Sequence, residues 1–303
     1  MAARTANTAD KAEARRQLAA DLHARIGDQV SALVESDKWL AYLDAARSLH
    51  TYSLNNVLLM LAQRPDATQV AGFRAWQQRG RQVRKGERAI RIFGYSSRTV
   101  TDTDTTTGEE TRRKVPTYPV LSVFDIDQTD PIEGHPQPDP IAAHLTGADE
   151  HGIYERVRDV MIAQGWSVER AAIPGQTNGY TTLDGAHRIV VDADLAPAQA
   201  ARTMIHEAAH AMMHATGDID PAELHRGRSE VEAESVAYVL SGLLGLDASD
   251  YSVGYIAGWA EGDTDTITDT ARTVLATVHT LAEALTPTAT EATDESETEH
   301  TAA

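Results

Sequence analysis

The stretch His206-Glu207-Ala208-Ala209-His210 sets two imidazoles four residues apart with a carboxylate beside the first. On an α-helix such residues share a face, so His206 and His210 can offer two nitrogens to one metal ion while Glu207 flanks it. This is the arrangement of a zinc hydrolase. A catalytic zinc takes three protein ligands and keeps one position for water. The chain has no cysteine, so the third ligand must be a histidine or a carboxylate. After nineteen intervening residues His210 is followed by Glu230-Val231-Glu232-Ala233-Glu234. In a helix Glu230 and Glu234 share a face, whereas Glu232 lies about 200° round from Glu230. Glu230 is therefore the expected ligand, with Glu232 the alternative. Glu234 is the expected partner for the second nitrogen of a ligating imidazole.

The chemistry follows from residue type. Zinc brings the pKa of a bound water to about 7, and Glu207 is placed to take its proton as the water attacks a carbonyl. Glu207 can then hand that proton to the leaving amine. His225 and Tyr238 are candidates to stabilise the oxyanion. His214, one turn past His210, is expected to pack or to support a ligand rather than to be a fourth ligand.

The elements that must position these groups can be read from pattern. Pro197 suits the first position of a helix that carries the histidines in its third turn, and a further helix is expected over 229–244. A hairpin with Asp184-Gly185 at its turn joins residues 180–183 to 187–191. A helix is expected around 154–164, a strand from Trp166, and two more helices over about 252–285. Upstream, residues 10–64 carry apolar positions three or four apart, with helices starting after Ser36 and Ser53 and ending before Pro65. Strands are expected at 89–95 and 120–124, joined by the polar excursion 99–114. Prolines at 131, 136, 138 and 140 mark a linker. The expected organisation is α+β with two domains: a module over 10–130, a linker over 131–143, the metal domain over 144–285 and a disordered acidic tail over 286–303.

The 303 residues, 42% of them hydrophobic and 24% charged, have the mixture of a globular protein. No apolar run is long enough to span a membrane and the first twenty residues lack a signal core, so a soluble, cytoplasmic protein without membrane contact is expected. A formal net charge of −18 speaks against nucleic acid as a partner, but the charge is uneven. Between Arg64 and Arg91 eight Arg or Lys face only Asp66 and Glu87, a local excess of six. Trp76 lies amid Arg74, Arg79, Arg81, Arg84, Lys85 and Arg88, with Tyr52 nearby in sequence. Cations interleaved with aromatic rings suit a single strand whose bases stack. The same composition also fits a solvated basic surface around a core tryptophan.

Two resemblances sharpen these expectations. His206-Glu-Ala-Ala-His210 followed by Glu230-x-x-Ala-Glu234, with the hairpin Gly179-Tyr-Thr-Thr-Leu-Asp-Gly-Ala-His-Arg-Ile189 before it, resembles the ImmA/IrrE-type metallopeptidases. The resemblance covers about 150–250 and implies a minimal gluzincin fold with zinc held by His206, His210 and Glu230. His50-x-Tyr52-Ser53-x-x-Asn56, Gln63-x-Pro65-x-Ala67-Thr68-x-Val70-Ala71-Gly72-Phe73-x-x-Trp76, Gly80-Arg81-x-Val83-x-Lys85-Gly86-Glu87 and Val123-Phe124-Asp125-x-x-Gln128-Thr129 are similar to the N-terminal domain of ArdC-type antirestriction proteins. That resemblance covers about 10–130 and implies sequence-nonspecific single-stranded DNA binding in plasmid or phage DNA entry. Three functions compete: a zinc peptidase recruited to single-stranded DNA, a non-proteolytic DNA-protecting protein with structural zinc, and a regulatory protease that cleaves a repressor. A protein or peptide substrate belongs to the first and third.

Overall fold

The computed structural model describes residues 2–103, 110–137, 149, 152–215, 226–246 and 263–286. The chain divides into two units, Met1–Leu33 with Tyr52–Asp139, and Val34–Thr51 with Pro140–Ala303. The expected linker beyond residue 137 and the acidic tail beyond Thr286 lie outside the described residues.

In the first unit α1 (Ala2–Ala32) packs on α3 (Leu54–Gln63). The apolar series Leu22, Ile26, Val30 and Leu33 of the helical period is buried here, opposite Val57, Leu58 and Met60. A three-stranded antiparallel sheet runs β1 (Val70–Gly72), β6 (Val120–Asp125), β3 (Ile90–Phe93), with Val70 opposite Asp125 and Ile90 opposite Val123. The outer edge of β3 is closed by side chains rather than by another strand. The Asn56 amide exchanges two hydrogen bonds with the Phe93 backbone (2.8 and 3.0 Å), and Gln63 does the same with Arg91 (2.8 and 2.9 Å). Two amides on α3 thus satisfy an edge that would otherwise be open to pairing.

The Asp125-x-x-Gln128 spacing is a capping box. The buried Asp125 carboxylate accepts from the Thr68 and Asp127 backbone N–H groups (2.7 and 3.0 Å), while the Gln128 side chain accepts from Asp125 N. Between β1 and β6 sits a short helix, α4 (Phe73–Gln78), followed by β2 (Arg81–Val83), which pairs with β7 (Thr129–Pro131). The excursion expected as a loop is largely ordered pairing. β4 (Ser96–Thr103) and β5 (Glu110–Thr117) form an antiparallel ribbon, Ser96 opposite Thr117, helped by the β-branched residues Thr99, Val100, Thr101 and Thr103 on one arm and Thr111, Val115 and Thr117 on the other.

The second unit is built on α6 (Pro197–His214) and α7 (Arg226–Leu243). Its sheet is ordered β8 (Ser167–Ala171), β10 (Arg188–Asp192), β9 (Gly179–Thr181), β8 parallel and β9 antiparallel to β10. Ile189, Val190 and Val191 on the central strand are all buried, as expected of a strand covered on both faces. Gly185 takes φ 82° at the hairpin turn, a conformation that glycine adopts without strain. Around this core lie α5 (Ile153–Ala163), α8 (Thr264–Leu285) and α2 (Ser36–Leu49). α2 joins through Trp39, which donates to Ser235 Oγ (3.1 Å), and Tyr42, which donates to the Ala271 carbonyl (2.7 Å). Residues 247–262, which carry part of the expected helices before 285, lie outside the described residues. Among the described residues no helix is long and apolar enough to cross a membrane.

Candidate metal centre

α6 starts at Pro197, where the missing N–H costs nothing, and buries a face rich in small residues, Ala200, Ala201, Ala208, Ala209 and Ala211. α7 answers with Ala233 and Ala237, both buried, so the two backbones can lie close. This close packing presents His206 and His210 of α6 to Glu230 of α7. His206 Nε2 and His210 Nε2 are 3.0 Å apart, and the Glu230 oxygens lie 3.5 and 3.7 Å from them. One ligand atom from each of the three residues falls within 4.8 Å of the other two. Two imidazoles and a carboxylate suit a borderline divalent cation such as zinc. Glu230 is 64% exposed at its side chain, leaving the ligand cluster open on one side.

The remaining carboxylates have separate places. Glu234 sets Oε2 3.3 Å from His206 Nδ1, on the side of the ring away from the Nε2 that faces His210 and Glu230. Glu207 is buried, and the Thr181 hydroxyl lies 2.8 Å from its Oε2. Glu232 is turned away from the cluster: Oε2 faces His214 Nε2 (2.9 Å), and Oε1 accepts from Arg228 Nε (2.7 Å) and Thr270 Oγ1 (3.1 Å). With both oxygens engaged in a buried network, Glu232 does not serve as the alternative ligand. His214 is itself buried, with Nδ1 3.0 Å from His210 Nδ1.

The electrostatics follow from this crowding. Burial pulls the His206 imidazole down, but the carboxylates of Glu230 and Glu234 outweigh it and raise its pKa to about 9. The same pairing, first with His206 and then with His210, holds Glu230 far below the usual carboxylate range. Burial pushes the Glu207 carboxyl up, against His206, the Thr181 hydrogen bond and His210. His206, Glu207 and Glu234, with Thr203, Gly179 and Asn178, line a cleft of about 380 Å³.

Gly179 decides how closely β9 approaches this helix. A Cβ there would stand 2.7 Å from Thr203 Cγ2, 3.0 Å from the Val190 carbonyl and 3.2 Å from Glu207 Cγ. Composition and spacing single out neither Gly179 nor Thr181 as a site residue; their signal is the hairpin that precedes the motif. Tyr238 gives its hydroxyl to Asp44 Oδ1 (2.7 Å), and the Arg47 guanidinium covers its ring at 4.3 Å, so its polar atom is engaged on α2. His225 lies outside the described residues.

In the first unit the basic residues part company. Trp76 is fully buried with Ala71 and Val83, and its Nε1–H donates to the Phe124 carbonyl (2.8 Å), so it offers no face to a base. Its place as a stacking platform is corrected to that of a core anchor. Tyr52 likewise donates its hydroxyl to the Val70 carbonyl (2.7 Å) and is half-buried. Arg79 lies over the Trp76 ring at 5.5 Å. Arg81 bonds Thr129 and Gln137, and Arg84 bonds Glu87, Asp130 and the Asp127 carbonyl. Arg74, Lys85 and Arg88 are exposed. Arg88 shares a cleft of about 380 Å³ with Arg25 and Arg64. Phe73 is 44% exposed and borders a groove with Phe124, Gln82 and Lys85. In sequence Phe73 is only three residues from Trp76, and nothing in composition tells which of the two faces out.

Comparison with known proteins finds two matches along the chain. Residues 16–124 match the N-terminal domain of anti-restriction factor ArdC, and residues 164–244 match the IrrE N-terminal-like domain of the metallopeptidases. The chain thus joins a segment that matches an ArdC-type N-terminal domain to one that matches an IrrE-like peptidase domain. Its fold is that of the crystal structure of the antirestriction protein ArdC from plasmid R388, without metal (TM-score 0.53, 22% identity), covering 86% of this chain and 96% of that one. A Mn(II)-bound structure of the same protein gives a TM-score of 0.50 at 19% identity over 86% and 97% of the chains. An uncharacterized protein of Bacillus anthracis is 25% identical over 246 residues. The match takes in 71% of this chain and 41% of that relative, so the chain spans less than half the relative's length.

Proposed function

We propose that the protein binds single-stranded DNA through its first domain and cleaves a peptide bond at a zinc ion held by His206, His210 and Glu230 in its second, in the service of protecting incoming plasmid or phage DNA. The observation that carries the peptidase reading is that His206, one member of the His206–His210–Glu230 cluster, shares a cleft with the buried carboxylate of Glu207. When bound, zinc supplies an activated water and polarises the substrate carbonyl. Glu207 takes the water proton and returns it to the leaving amine, its buried place beside His206 suiting it to both transfers. Thr181 orients the Glu207 carboxylate, and Glu234 orients the His206 ring. β9 is an edge strand, pairing among the described residues with β10 alone, and Gly179 brings it to the cleft. An extended peptide can add to that edge by main-chain hydrogen bonds.

The DNA reading is supported by the ArdC-type first domain and by its exposed cations. Phe73 takes the stacking role that sequence suggested for Trp76, beside Lys85 in the same groove.

One experiment separates the functions: metal analysis, a single-strand titration and a restriction-protection assay on wild type and Glu207→Gln. The expected variant holds about one zinc and binds DNA normally but hydrolyses no peptide. Protection that survives this change assigns the biology to DNA coating, with the metal as a structural part. A wild-type protein without metal refutes the peptidase reading outright.

A further inference from the structure

The two ligand histidines are supported differently. His206 sets its non-ligating Nδ1 against a carboxylate directly, at 3.3 Å from Glu234. His210 is supported through a second imidazole; its Nδ1 meets His214 Nδ1 at 3.0 Å, and His214 Nε2 meets Glu232 Oε2 at 2.9 Å. Resting on the metal-site reading above, we propose that His214 and Glu232 are positioning residues that orient His210 for the metal through a hydrogen-bonded chain of fixed direction.

The direction follows from counting donors. With His210 Nε2 turned to the ligand cluster, its lone pair there is reserved for the metal, so its proton sits on Nδ1. Across a 3.0 Å contact His214 Nδ1 must then be the acceptor. His214 consequently carries its proton on Nε2 and donates to Glu232. Glu232 is acceptor-only when ionised, and its other oxygen is held by Arg228 at 2.7 Å and Thr270 at 3.1 Å. No link in the chain has two protons or none. The two supporting members are buried: the side chains of His214 and Glu232 are 3% and 6% exposed. A half-satisfied network in such a place would cost more than an apolar one, so full satisfaction is a constraint on the sequence.

The chain also explains the three alternate glutamates of α7. Glu230 is at the ligand cluster, Glu234 supports His206, and Glu232 supports His210 through an inserted imidazole. The extra link lets α7 and α8 hold a ligand of α6, since Thr270 belongs to α8 and Arg228 to α7. A carboxylate behind a ligating imidazole fixes its ring and tautomer and strengthens it as a donor, and loss of such a partner weakens metal binding by ~10- to 100-fold.

The test measures Zn²⁺ and Mn²⁺ affinity, by competition with a chromophoric chelator, for the full chain and for Glu232→Gln, His214→Phe, Arg228→Gln and Thr270→Val. His214→Phe breaks the chain, and Glu232→Gln replaces its charged terminal acceptor with a neutral, weaker one. The last two remove the other Glu232 bonds and leave it intact. The expected result is a ~10- to 100-fold loss for the first pair and less than about 3-fold for the second. Equal affinity in Glu232→Gln and wild type, or an equal loss in all four, overturns the proposal and reduces the network to a helix clamp. Side-chain ¹⁵N spectra of the wild type give a readout that survives any folding defect in the variants. His214 protonated at Nε2 and accepting at Nδ1 supports the chain, and His214 protonated at Nδ1 sinks it. If the wild type binds neither ion but His214 shows the expected tautomer, the metal-site reading fails and the chain geometry stands apart from it.

Discussion

The Thr181 hydroxyl sits 2.8 Å from Glu207 Oε2 and 2.9 Å from the Glu207 carbonyl oxygen, tying the edge strand β9 to the helix that carries His206 and His210. Glu207 is buried, and removing its hydroxyl partner leaves a desolvated carboxylate short of a donor. Thr181→Val preserves shape and is expected to destabilise the fold by about 1–3 kcal/mol in chemical denaturation. Metal stoichiometry is expected to stay at the wild-type value, since Thr181 bonds none of His206, His210 or Glu230. A variant as stable as wild type would show that the contact is incidental.

Gly179 lies on the same strand and is tested by adding one carbon. A methyl at this position meets the Val190 carbonyl and the side chains of Thr203 and Glu207, with Thr203 Cγ2 the nearest, so the side chains rather than the backbone must give way. Gly179→Ala is expected to cost about 1–3 kcal/mol as overpacking, and to shift Thr181 away from Glu207. Adding Thr203→Ser removes the Cγ2 atom that stands nearest and should restore part of the loss. Failure of that second change to recover any stability would place the strain elsewhere.

How much can be read from the sequence depends on how far a residue's partner lies along the chain. His206, His210, Glu230 and Glu234 are pairs within helices, and a four-residue period places such pairs on one face whatever the rest of the fold. Pro197 and the Asp184-Gly185 turn are local signals for the same reason. Trp76 is ambiguous because α4 is a six-residue helix, too short for a period to separate its inner from its outer face. Its deciding bond is to Phe124, 48 residues away. α2 joins the second unit through Trp39 and Ser235, 196 residues apart, a contact that no local pattern encodes. Glu232 illustrates the intermediate case. Its 200° offset sets it apart from Glu230, but its partner His214 belongs to another helix.

The metal-free protein holds a proton at His206 to about pH 9, because Glu230 and Glu234 overcome the opposing effect of burial. Raised above its ordinary value of about 6.5, this group stabilises the metal-free fold fully below pH 6.5, and the contribution fades as pH rises through about 9. A metal ligand must be deprotonated, so the same shift works against metal binding. Zinc affinity is expected to rise about tenfold per pH unit between pH 6.5 and 8.5 and to level off above 9. Calorimetry in buffers of different ionisation enthalpy should find about one proton released per zinc at pH 7. An affinity flat across this range would mean that His206 is unprotonated before the ion arrives.

Phe73 and Trp76 make opposite predictions on one short helix. Trp76→Phe removes the Nε1–H that satisfies the Phe124 carbonyl, so it is expected to lower stability by about 1–3 kcal/mol. Single-strand affinity of the folded protein should not change, since the ring reaches no solvent. Phe73→Ala takes away an exposed ring, so stability should move by no more than about 0.5 kcal/mol. If a base stacks there, affinity falls by about 1–3 kcal/mol, measured by fluorescence anisotropy on a labelled oligonucleotide. The exposed cations act through phosphate instead. Binding to single strands should weaken linearly with the logarithm of salt concentration, by a slope of about −0.7 for each phosphate neutralised. Lys85→Ala and Arg88→Ala should each flatten that slope by about 0.7, whereas Arg81→Ala, whose guanidinium is committed to Thr129 and Gln137, should leave the slope unchanged and reduce stability instead. The reverse pattern, with Trp76 and Arg81 governing affinity and Phe73 and Lys85 silent, would move the DNA contact away from this groove.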